Sequence, residues 1–201
     1  MKLKNLSLIL ILLYGTEKLS GGSASLENFP KEKQTVILEK AIAEFVKNNM
    51  PSGFNGPRFL VSPQSKNFVY NTKFDIVCVP LEKAVQNLAA LEFQVLHELG
   101  HSQQQGNMSW KEEELYADCF AASFTTRTKF CKSFIELMKK EEENANVKGY
   151  EVDPRYPSTK ERIKNINKAL AQYGYLKEEY KPKTLLSFIQ EFVEKDEKSQ
   201  K

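Results

Sequence analysis

The spacing of hydrophobic positions changes several times along the chain. After Pro30, residues Val36, Ile37, Ala41, Phe45 and Val46 recur at three- and four-residue intervals, predicting an amphipathic helix that Met50-Pro51-Ser52-Gly53 ends. Between Phe54 and Pro80 turn residues separate short aromatic and β-branched runs. Phe59-Leu60-Val61, Phe68-Val69-Tyr70 and Phe74 to Val79 read as strands, the last of them at the edge of a small sheet, where it is open to strand addition by an extended peptide. From Leu81 to Gln104 the residues are good helix formers, and Leu88, Leu91, Val95 and Leu99 make one apolar line while Ala90, Phe93, His97 and His101 make another. A helix apolar on two faces is buried.

Ser109-Trp110-Lys111-Glu112 is a capping box, and the pattern beyond it predicts one long helix through Ala117, Ala121, Phe124, Cys131, Ile135 and Met138 to the charged run Lys139–Asn146. On that single helix Cys119 and Cys131 stand about 18 Å apart and cannot pair; Cys78 could bridge to one of them, which leaves at least one thiol free, and buried apolar cysteines are the default expectation. A proline-bearing loop, Tyr150 to Thr159, leads to a second capping box, Ser158-Thr159-Lys160-Glu161, and a helix carrying Ile163, Ile166, Ala169 and Leu170. A short amphipathic piece, Leu185 to Val193, precedes a charged tail. Helices around a few short strands predict an α+β fold, mostly helical, with a small antiparallel or mixed sheet next to the helix that bears the histidines.

At 201 residues the chain suits one domain, here 25–180, followed by the helix and tail of 181–201. The N-terminus, Met1-Lys2-Leu3-Lys4, then the apolar run Leu6 to Tyr14, then small residues through Ala24, has the layout of a secretory signal peptide over 1–24. It predicts export to a periplasm or to the medium, or an N-terminal anchor if the segment is retained. A net charge of +3, with basic residues scattered among acids, argues against a nucleic-acid partner.

The chain's only two histidines lie in His97-Glu98-Leu99-Gly100-His101. Four residues apart on a helix, they share a face and can hold one metal ion, and Glu98 between them is placed to take a proton from a metal-activated water. This H-E-x-x-H pattern belongs to zinc hydrolases, and Zn2+ is the expected cofactor. Catalytic zinc commonly uses three protein ligands. With both histidines used, the third must be a carboxylate or a thiolate, and the next helix offers Glu113, Glu114, Asp118 and Cys119. Glu114 and Asp118 share a face, so one can ligate while the other steadies a histidine.

His97-Glu98-Leu99-Gly100-His101 followed by Glu114-Leu115-Tyr116-Ala117-Asp118 resembles the H-E-x-G-H and E-x-x-A-D pair of the CAAX prenyl endopeptidase and HtpX-type zinc metallopeptidases. Tyr156-Pro157 through Arg162-Ile163 looks like their later H-P-x-x-x-x-R-I segment. The resemblance covers roughly Phe74 to Ala169 and implies a zincin-like domain in which His97, His101 and Glu114 bind zinc, Glu98 is the general base and Asp118 supports the ligands. It implies a zinc endopeptidase acting on peptides or unfolded protein. Two departures stand out: Tyr156 replaces the family's histidine, leaving the Tyr156 hydroxyl or Arg162 to steady an oxyanion, and the membrane-spanning helices of typical members are missing, so no integral membrane domain is expected. Two other functions fit the same motif: a zinc-bearing binding domain without catalysis, and a cytoplasmic peptidase of the ImmA/IrrE type that cleaves a repressor.

Overall fold

In the computed structural model, residues 25–104, 106–148, 153–180 and 182–199 are described, those of 174–180 by backbone alone. The leader reading concerns residues 1–24, which lie outside the described residues. After a short 3-10 turn, Leu26–Asn28, the order is α1 (Lys31–Asn49), β1 (Arg58–Ser62), β2 (Val69–Asn71), β3 (Ile76–Pro80), α2 (Leu81–Gln86), α3 (Leu88–Ser102), α4 (Trp110–Phe124), α5 (Thr128–Val147), α6 (Thr159–Tyr180) and α7 (Leu185–Ser199). The fold is α+β, mostly helical, with one small mixed sheet, as the pattern predicted. Among the described residues, no helix is long and apolar enough to cross a membrane.

Helix α3 is the centre of the core. Leu91, Phe93, Val95, Leu96 and Leu99 are fully buried, and α4, α5 and α7 pack around them. Each such side chain contributes about 1.5–3 kcal/mol through burial. Phe93 stacks on Phe134 of α5 with ring centroids 4.4 Å apart. Helix α1 buries Ile37, Leu38, Ala41, Ile42, Phe45 and Val46 against the sheet and α7, whereas Val36, assigned above to that stripe, is 46% exposed because it lies a helical step off the buried face.

Several expectations are corrected. The sheet order is β1-β3-β2, with β1 parallel and β2 antiparallel to β3, so β3 is the central strand and not an edge. Its inward residues Val77 and Val79 are fully buried. That strand also begins at Ile76: the Asn71 side chain accepts from the Lys73 and Phe74 amides, and Asp75 takes a left-handed φ of 53°, making a turn of residues read as strand. The helix expected over Leu81–Gln104 breaks at Asn87, whose ψ of 45° ends α2 while its carbonyl accepts from Ala90 and Leu91 to start α3.

The long helix after Ser109 is also two. Helix α4 stops at Thr125, and the cause sits on α3: buried Glu92 accepts from the Thr126 amide at 2.6 Å, the Thr126 hydroxyl at 2.6 Å and the Thr125 hydroxyl at 3.2 Å. An amide held by a side chain is withdrawn from the helical ladder. Cys119 and Cys131 therefore lie on different helices, so the single-helix ruler fails, although none of Cys78, Cys119 and Cys131 is in a disulfide. The charged end after Val193 stays helical to Ser199, with α7 laid on α1 and Lys33 paired to Asp196.

Candidate metal centre

The centre is made where α3 and α4 meet, and the closeness of the two helices decides its geometry. A Cβ built on Gly100 would stand 2.7 Å from the Ala117 Cα, a separation that atoms do not tolerate. The glycine of H-E-x-G-H and the alanine of E-x-x-A-D are thus one contact, backbone against backbone. The Ser109–Glu112 capping box fixes where α4 begins: the serine side chain accepts from the Glu112 amide, and Glu112 accepts from the Ser109 amide at 2.8 Å. Glu114 then arrives one turn into α4, opposite the histidines.

His97 Nε2 and His101 Nε2 are 3.2 Å apart. Glu114 places Oε2 3.4 Å from His97 Nε2 and Oε1 3.6 Å from His101 Nε2. Ligand atoms about 2.0–2.1 Å from a tetrahedral zinc ion lie about 3.3–3.5 Å from one another. The three groups hold that spacing, and they form the cluster able to take a metal ion among the described residues.

Behind these three groups, His97 Nδ1 stands 3.0 Å from Asp118 Oδ1, and Arg162 of α6 grips the same carboxylate with Nε at 2.8 Å and Nη2 at 2.7 Å. The third guanidinium nitrogen, Nη1, is 3.6 Å from Glu114 Oε2. Arg162 also lies over the Phe134 ring, 5.6 Å from its centroid, which closes the floor. His101 Nδ1 is 3.0 Å from the side-chain nitrogen of Gln104, and that nitrogen also donates to the Glu113 carbonyl. Glu98 is 7% exposed, next to β2, where its carboxylate meets the Tyr70 backbone amide.

The electrostatics follow from crowding acids around few cations. Burial opposes charge on His97, but the Asp118 and Glu114 carboxylates override it and push its pKa up to about 9. Burial and the neighbouring His97 push His101 down to about 4. Burial raises Glu98 above the ordinary carboxylate range, whereas Asp118 and Glu114 are lowered despite burial by their contacts to His97 and Arg162. Glu98, Glu114 and Asp118 thus face one fixed cation, Arg162, and a proton held on His97 makes up part of the difference. A divalent ion held by His97, His101 and Glu114 would supply that charge without the proton.

The residues picked out by sequence fall into two sets. His97, His101, Glu114, Glu98, Asp118 and Arg162 come together. Arg162 is committed to Asp118 and Glu114 instead of facing open space. Tyr156 is packed edge-on against Trp110, ring centroids 5.4 Å apart and 40% exposed, and has no hydrogen bond to the cluster among the described residues. Glu113 contributes only its carbonyl, and Cys119 is half-buried against the core. Gln104 and the Tyr70 amide were not foreseen. Neither has a sequence signal, since a glutamine at a helix end is commonplace and a backbone amide is silent. No family model, curated protein or solved structure matches the chain.

Proposed function

We propose that the protein is a zinc-dependent endopeptidase, and the observation that carries this reading is the 3.2–3.6 Å triangle of His97, His101 and Glu114 with buried Glu98 beside it. Two imidazoles and one carboxylate are the donor set of an open zinc site, which keeps a position for water or substrate. When bound, zinc supplies Lewis acidity toward a carbonyl and acidifies a water.

The chain's own groups supply the rest. Glu98 takes the proton of the attacking water and returns it to the leaving amine, and its burial-raised pKa suits both halves of that exchange. Asp118 and Arg162 hold His97 and Glu114 in place. Strand β2 is an edge of the sheet next to α3, and an extended peptide paired along it would pass Glu98. On this reading the substrate-binding edge is β2, since β3 is the central strand.

The test pairs metal content with hydrolysis of an unfolded protein. Wild-type protein should hold one equivalent of zinc and cleave; Glu98→Gln should keep the zinc and lose about 10²–10⁴-fold in rate. A zinc-loaded wild type that cleaves nothing makes the domain a binding module, and full activity in Glu98→Gln removes Glu98 as base.

A further inference from the structure

The sheet turns one face to the helices and the other to solvent. Val61, Val77 and Val79 point inward and are buried, whereas Leu60, Cys78 and Val69 align in register across all three strands on the opposite face. Leu60 is 47% and Val69 49% exposed. Ile76 continues the row, and Phe74, in the turn between β2 and β3, is 58% exposed. A contiguous apolar strip of this kind marks a surface that meets something other than water.

Its surroundings are basic. Arg58 shares the face through its alternation with Leu60, Lys66 is exposed between β1 and β2, and the Lys73 ammonium lies 5.3 Å from the centre of the Phe74 ring. Of the two acids in the same segment, Glu82 pairs with Lys31 at 2.9 Å, and Asp75, which accepts from the Tyr70 hydroxyl at 3.0 Å, keeps its charge beside the strip. Three cations against that one carboxylate leave the apolar side chains inside a rim of net positive charge.

Size and charge select the occupant. Three short strands about 4.8 Å apart make a face roughly 10 Å wide, far smaller than the ~800 Å² per partner of a standard protein interface. A second copy or a rigid partner gains too little there. A lipid surface needs only a few apolar side chains at the acyl boundary and cations at the level of its phosphates. We propose that this face docks on an anionic phospholipid surface, with Phe74 and Lys73 leading and Leu60 and Val69 behind them. Strand β2 also flanks the metal centre, so docking brings that centre to the lipid.

The experiment uses the full chain with Trp110→Phe and Phe74→Trp, so that the single tryptophan reports from the turn. Vesicles of equal parts phosphatidylcholine and phosphatidylglycerol, with brominated acyl chains, should quench its fluorescence, and phosphatidylcholine alone should quench it little. Attachment through the apolar run Leu6 to Tyr14 does not produce quenching at position 74. Replacing Arg58, Lys66 and Lys73 by Gln should weaken this turn-specific quenching roughly a hundredfold in lipid concentration, about fivefold per cation. In the unaltered chain, hydrogen exchange over residues 69–76 should slow on the same vesicles. Absence of both quenching and protection overturns the proposal, as does equal quenching on neutral vesicles. A concentration-dependent dimer abolished by Leu60→Ser with Val69→Ser overturns it in favour of a second copy.

Discussion

Glu92 and Glu98 lie on the same helix, less than two turns apart, and both are buried. The Glu92 carboxylate is surrounded by donors: Thr125, Thr126 twice, and the Leu185 amide at 2.9 Å, which ties the start of α7 to α3. Glu98 receives one backbone amide, from Tyr70, and otherwise stands with the Glu114 carboxylate and the His97 imidazole, with one guanidinium to balance the acids. A buried carboxylate whose lone pairs are filled by backbone amides and hydroxyls serves the fold, because nothing is left for it to bind. A buried group of carboxylates and imidazoles with too few cations leaves a positive ion to be supplied. Burial alone does not separate the two; the direction of the surrounding hydrogen bonds does.

The largest effect that tests this contrast is Glu92→Ala. It leaves the Thr126 and Leu185 amides buried without acceptors, and a loss of about 3–5 kcal/mol in urea unfolding is expected. Glu114→Ala, measured on metal-free protein, should destabilise much less, since it thins an acid-rich cluster; equal losses would dissolve the distinction. Gly100→Ala follows. Its methyl must push α4 away, at about 1–3 kcal/mol, and zinc affinity should fall with it, read by competition with a chelator. Unchanged affinity would mean that the Gly100–Ala117 contact does not set the ligand spacing.

Arg162→Lys is smaller. Lysine cannot grip Asp118 with two nitrogens while reaching Glu114, so zinc affinity should drop about 10–100-fold with the fold intact by circular dichroism. The smallest effect is a slope. Burial holds the Glu92 pKa above its ordinary 4.5, partly offset by its hydrogen bonds. A group raised in the folded state stabilises fully below its unfolded value, and that contribution is lost as pH rises through the folded one. Stability should therefore fall over that window as Glu92 ionises, and Glu92→Gln should remove this part of the pH dependence. An unchanged slope would show that the four donors overcome the burial.

The pattern of apolar residues was enough to determine the α+β class, the capping boxes at Ser109 and Ser158, and the paired motifs holding His97, His101, Glu98, Glu114 and Asp118. These are legible because helical periodicity and cap chemistry act within a few residues. Tertiary structure decided what depends on distant partners. The break at Thr125 needs Glu92 to take the amide of Thr126, 34 residues away, which would have continued the helix. The central place of β3 depends on β1 pairing with it in parallel across the intervening β2 in sequence, and strand order has no local signature. Arg162 was visible as a candidate cation, but only the tertiary structure binds it to Asp118, 44 residues earlier, and sets it beside Glu114.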